Sequence, residues 1–167
     1  KDEFGRVRLV TGVSLSGTVP GRRVGQTLFS AEGFPEDEIK SAQSPFVGIG
    51  YFENLGIPVL AGRTFSDEFP TDPDDAVVVN DAAVRYLNYG TPQNAVGKVL
   101  GFGGGPRTIV GVVADYHHLS LKEQIEPTVF LTNPAVAGFL ALRLEPGDPQ
   151  QAISDVRNTW STLYPDA

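Results

Sequence analysis

The chain contains no cysteine. That excludes disulfides, thiolate metal sites and cysteine nucleophiles. It contains no methionine either, not even at position 1, so a processed or excised segment is expected. No apolar run approaches the roughly 18 residues that a bilayer span needs. No secretory signal pattern is visible. Basic residues are few: 13 against 20 acidic ones, a net charge of −7. This balance repels phosphate backbones and excludes nucleic acid as a natural partner. It also disfavours an anionic membrane surface.

A chain of 167 residues, 41% hydrophobic and 20% charged, suits one domain or two small subdomains with a real core. Its 19 glycines and 13 prolines cut it into short elements. Residues 7–16, 26–31, 57–60, 76–79, 96–102, 108–114, 128–132 and 139–144 read as strands from their alternating or continuous apolar character. Residues 51–55 carry helical spacing closed by Gly56. Asn80 or Asp81 caps a helix over 82–87. Asp148 caps a final helix in which Ile153, Val156, Trp160 and Leu163 recur at three- and four-residue intervals. Residues 118–123 read as a single helical turn. Residues 32–44 and 67–75, both acidic, read as loops. Strands come in groups and do not alternate with helices, which predicts an α+β fold with a mixed sheet and helices on one face.

Chemistry is thinly represented. The run at 101–105 (GFGGG) is followed by Pro106 and a β-run, unlike a phosphate-binding loop that opens a helix. Asp115, His117 and His118 are the candidate metal ligands, since both histidines of the chain lie there. Asp115 and His117 share a face on a strand, but no further ligand lies nearby in sequence. The competing reading has Asp115 capping a turn and a histidine bonding backbone. No GxSxG elbow is present, and the paired carboxylates sit in solvated loops where pKa tuning is weak. A catalytic site is not expected.

Three segments taken in order carry a resemblance: YFENLGIPVLAGRTF (51–65), VVVNDAAVRYL (77–87) and AVGKVLGFGGGPRTIVGVVADYHHLSL (95–121). With VSLSGTVPG (13–21) and WSTLYP (160–165), they resemble the MacB-like periplasmic core domain of FtsX-like ABC-transporter permeases. The resemblance implies a porter-like subdomain from 1–61 and 122–167, with a smaller β-rich insertion at 62–121. It implies an extracytoplasmic, periplasmic domain of a bacterial inner-membrane protein. Such a domain is non-catalytic, needs no cofactor, and couples ATP-driven motion to export or to an outer partner. Its partners would be the permease's transmembrane helices and a cytoplasmic ATPase subunit, with a second copy or sister domain in addition. A stand-alone ligand-binding module is the alternative, and a metal-dependent enzyme at Asp115, His117 and His118 a third reading. The structural and hinge candidates are Tyr51, Phe52, Gly56, Gly62, Arg63, Asn80, Gly97 and Gly111. Gly56 and Gly62 are expected to take positive φ, Gly97 and Gly111 to allow close backbone approach, and Arg63 to clamp a carboxylate or carbonyls.

Overall fold

The computed structural model describes residues 2–35, 37–120, 122–136 and 138–165. The N-terminal turn of helix α1 (Asp2–Gly5) leads into β1 (Val10–Ser16). Strands β2 (Gln26–Ala31) and β3 (Lys40–Gln43), helix α2 (Tyr51–Leu55) and strand β4 (Val59–Gly62) follow. A helical turn α3 (Asp72–Asp75) precedes β5 (Ala76–Asn80), α4 (Asp81–Tyr86) and α5 (Pro92–Ala95). The chain closes with β6 (Val99–Phe102), β7 (Gly105–Val113), β8 (Val129–Phe130), β9 (Phe139–Leu144) and α6 (Pro149–Leu163).

Two sheets result. β1 and β9 form an antiparallel ribbon. The other strands form a seven-stranded sheet in the order β3-β2-β6-β7-β5-β8, with β4 beside the end of β7. It is mixed, because β5 runs parallel to β7 while the other pairs are antiparallel. The α+β class with a mixed sheet is therefore present. Parallel bridges Gln43↔Thr128 and Phe46↔Leu131 stitch the β3 end of the sheet to its β8 end. This closes it into a small barrel and leaves few unpaired edges. The barrel draws strands from all three segments 1–61, 62–121 and 122–167.

β5 explains the continuous apolar run at its position. Every residue of it is buried, and alternate side chains enter different cores. Val77 and Val79 join Phe29, Leu100, Ile109, the α4 residue Ala83 and Leu87 just past the end of α4. Val78 joins Tyr51, Phe52, Phe65, Val113 and Phe130. Helix α2 is stopped by Gly56 at φ 70°. There Gly56 N–H donates to Glu53 O and Ile57 N–H to Phe52 O, the two bonds of a Schellman end.

Some expectations need correction. Residues 40–43, read as loop, form β3 because β2 supplies a pairing partner and Ala42 and Gln43 are buried. Residues 72–75 form a turn of helix with Pro73 in its first positions. The first strand starts at Val10, after Leu9 at φ 73°. Residues 96–98 are outside any strand, because Val96 is the C-cap of α5 and Gly97 turns the chain at φ 89°. The helical turn expected at 118–123 is not helical among the described residues; Leu121 lies outside them. In α6 only Ala152 is buried, and the stripe of Ile153, Trp160 and Leu163 is exposed.

Candidate functional site

The segment 51–65 leaves the β1–β9 ribbon and enters the barrel. Its helix α2 packs on the ribbon through Asn54. Asn54 Nδ2 donates to Ser14 Oγ at 2.9 Å and to Ala141 O at 3.0 Å. On the barrel side, Tyr51 and Phe52 are almost fully buried. Phe52 meets Phe130 edge-on at 5.0 Å, and the Tyr51 hydroxyl lies 3.4 Å from that of Tyr116. Burial raises the pKa of Tyr51 and, more strongly, that of Tyr116.

β4 then crosses β7 at very close range. Gly62 sits at φ 70°, and a Cβ on it would lie 2.9 Å from Gly111 Cα. A Cβ on Gly111 would collide with the Arg63 carbonyl, with its carbon at 2.9 Å. Gly97 differs from the expected close approach: a Cβ there would meet nothing within 4 Å, and only its φ of 89° calls for glycine.

Immediately after this crossing, Arg63 turns its planar fork onto Asp72. Nη1 and Nη2 reach the two carboxylate oxygens at 2.7 Å each. Nη1 also donates to Thr64 O at 3.1 Å, and the guanidinium lies 3.6 Å over the Phe69 ring. This bidentate, stacked geometry is one only arginine offers. The bond to Asp72 raises the Arg63 pKa further above its already high value. The clamp closes the loop 64–71 against the barrel. Asp72 carried no distinguishing signal in the sequence, because it lies in an acidic stretch that reads as solvated.

Between this loop, the end of β1 and residues 46–49 opens a cleft of about 360 Å³. Leu15, Phe46, Val47, Phe65 and Phe69 line it, with Asp67 among its polar residues. It lies at the junction of ribbon and barrel.

Asn80 is a junction of a different kind. Its Oδ1 accepts from Ala83 N–H at 3.0 Å, capping α4, and from Thr128 N–H at 2.9 Å. Its Nδ2 donates to Glu126 O at 3.0 Å. One short side chain thus ties β5, α4 and the entry to β8.

Asp115, His117 and His118 are not brought together as ligands. Asp115 accepts from Ala82 N–H at 2.8 Å and from Arg85 Nη2 at 2.6 Å, and this bond raises the Arg85 pKa. The His117 side chain is exposed. His118 Nε2 lies 2.6 Å from Arg22 O, so that nitrogen holds the proton, while Nδ1 is buried without a partner. No group of three or more His, Cys, Asp or Glu able to hold a metal occurs among the described residues. No helix among them is long and apolar enough to cross a membrane.

Comparison with known proteins supplies the identity of this architecture. The model of the MacB-like periplasmic core domain matches residues 2–159. No curated protein matches. The periplasmic region of MacB from Actinobacillus actinomycetemcomitans has the same fold, with TM-score 0.67 and 14% identity over 98% of this chain and 72% of that one. The extracellular domain of the noncanonic ABC-type transporter YknZ from Gram-positive bacteria gives TM-score 0.65 and 17% identity, covering 99% of this chain and 80% of that one. With its ribbon, its mixed barrel and the glycine-marked corner between them, the chain belongs to the MacB-like periplasmic core domains of ABC-transporter permeases.

Proposed function

We propose that this domain transmits motion and performs no catalysis. In this reading it is the extracytoplasmic part of a permease in a bacterial inner membrane. Its partners are the permease's transmembrane helices and a cytoplasmic ATPase subunit, with a sister domain or second copy beside it. It needs no cofactor, and conformational change driven by ATP is passed through it to an exported substrate or an outer partner.

The observation that carries this reading is the junction at 51–65. The ribbon and the barrel share no paired strand. They touch through α2, the isolated bridge Ser16↔Val47 and the connecting segments. Two internally hydrogen-bonded bodies joined in this way move as units about their connections. The bodies that move in this reading are the ribbon and the barrel; the expected division of 1–61 with 122–167 against 62–121 runs through the barrel, to which β2, β3, β8 and most of β4 contribute from outside 62–121.

Spin labels at Leu28 on β2 and Ile153 on α6, both more than half exposed, test the idea in the full-length permease. A label-to-label distance that changes between nucleotide-free and ATP-trapped states is expected. An unchanged distance distribution in both states rejects the transmission role.

A further inference from the structure

We propose that the cleft between ribbon and barrel is a binding site for a small organic cation with an apolar body. Its volume of about 360 Å³ falls at the small end of the roughly 300–1,000 Å³ typical of ligand pockets. Its walls are strongly apolar: Leu15, Phe46, Val47, Phe65 and Pro70 face the space. Water in such a space makes few hydrogen bonds, so an apolar body displaces it favourably.

Charge decides what kind of apolar body fits. The ionisable residues lining the cleft are Asp67 and Asp72, with no Lys, Arg or His among the lining residues. Asp72 is already matched by Arg63 through two bonds of 2.7 Å. Arg63 therefore has no charge to spare for a ligand. Asp67 stands on an exposed stretch of the loop, and none of the ion pairs in the described structure uses it. An anion entering the cleft meets an unmatched carboxylate. A neutral ligand leaves that carboxylate as it was. A cation with an apolar body fills the walls and places its charge against Asp67.

The aromatic lining favours the same class. Phe69 already receives one cation on its ring face, the Arg63 guanidinium at 3.6 Å, so the geometry of a cation–π contact exists at this loop. Phe46, which is only half-buried, offers further ring surface to a ligand cation. The site is independent of the transmission role, since it needs neither ATP nor the membrane.

The test is a titration of the isotopically labelled chain with benzyltrimethylammonium, with its uncharged isostere neopentylbenzene, and with benzenesulfonate. Backbone amide shifts at 46–49 and 65–73 report the cleft. The cation is expected to saturate there, the neutral compound to bind about tenfold more weakly, a difference of about 1.4 kcal/mol, and the sulfonate to give no shift. Asp67→Asn, on an exposed loop where folding is unaffected, brings the cation to the affinity of the neutral compound. Asp67→Lys abolishes cation binding. Equal affinities for cation and neutral isostere, no effect of either Asp67 variant, or no shift in the cleft at millimolar cation each overturn the proposal.

Discussion

Arg63 holds Asp72 with both terminal nitrogens at 2.7 Å while its guanidinium carbon lies 3.6 Å over the Phe69 ring. Asp72 is buried and Arg63 about one-third exposed, so the pair is shielded without being sealed. Removing one partner leaves the other charge partly desolvated. Asp72→Ala is expected to cost about 2–4 kcal/mol of folding stability. Arg63→Lys recovers little of the arginine's contribution, because an ammonium cannot make the fork or the stack. Urea midpoints of the two variants check this, and a lysine variant as stable as the parent counts against the clamp.

Gly111 and Gly97 are both glycines of the family-like segments, yet their requirements differ. Alanine at 111 drives a methyl into Arg63 O and must part β4 from β7. Alanine at 97 meets open space and bears only backbone strain at φ 89°, about 1–2 kcal/mol. Gly111→Ala is therefore expected to be the more destabilising change. Thermal unfolding of both variants decides, and the reverse order contradicts the close crossing.

Asn80 supports three elements at once. Asn80→Ala removes the α4 cap and orphans Thr128 N–H, with an expected cost of about 2–3 kcal/mol. Asn80→Asp keeps both acceptor bonds but sets a carboxylate oxygen against Glu126 O at a buried position, so it spares the cap while adding a repulsion of its own. Amide hydrogen exchange at Ala83 and Thr128 should quicken in the alanine variant and stay close to the parent in the aspartate one.

Three tyrosines bear on alkaline stability. Burial raises the pKa of Tyr51 and Tyr116, and burial followed by the Glu32 charge pushes Tyr89 up to about 12. A raised tyrosine pKa means the folded state favours the neutral phenol. The stability it brings is complete below the unfolded value of about 10 and is lost as pH rises toward the folded value. Stability is thus expected to decline from about pH 10 upward. Tyr116→Phe should flatten that decline. Denaturant midpoints across this window measure it, and an equally steep fall in the variant removes Tyr116 as a cause.

The double variant His117→Ala, His118→Ala separates metal chemistry from structure. His118 ties its ring to Arg22 O, so the variant is expected to loosen the turn near residue 22. Metal content after purification is expected to match the parent. A metal stoichiometry lost with the histidines restores the metal-site reading.

Legibility followed interaction range. Gly56 as a helix stop, Asn80 or Asp81 as a cap and Asp148 as a cap were readable because each acts within a few residues of itself; the structure assigns the first cap to Asn80. Arg63 was readable as a fork seeking a carboxylate, but Asp72 was not readable as its partner among several acidic neighbours. The stripe on α6 announced an apolar face; that it lies open, with Trp160 touching Phe4 at a ring distance of 6.0 Å, is a matter of what packs where. β3 escaped notice because KSAQ has little strand character of its own and is held by β2.

The sequence by itself determined the class of this protein. Local periods, caps and the ordered segments at 51–65, 77–87 and 95–121 depend on neighbours along the chain, and the family follows from their order. Only the tertiary structure decided the closure of the barrel by residues 43–46 and 128–131, the glycine crossing of β4 over β7, and the cleft beside the Arg63–Asp72 clamp. Each of these joins groups far apart in the chain or at spacings that no local period marks. Their pairing is settled by packing and desolvation, which a linear pattern does not encode.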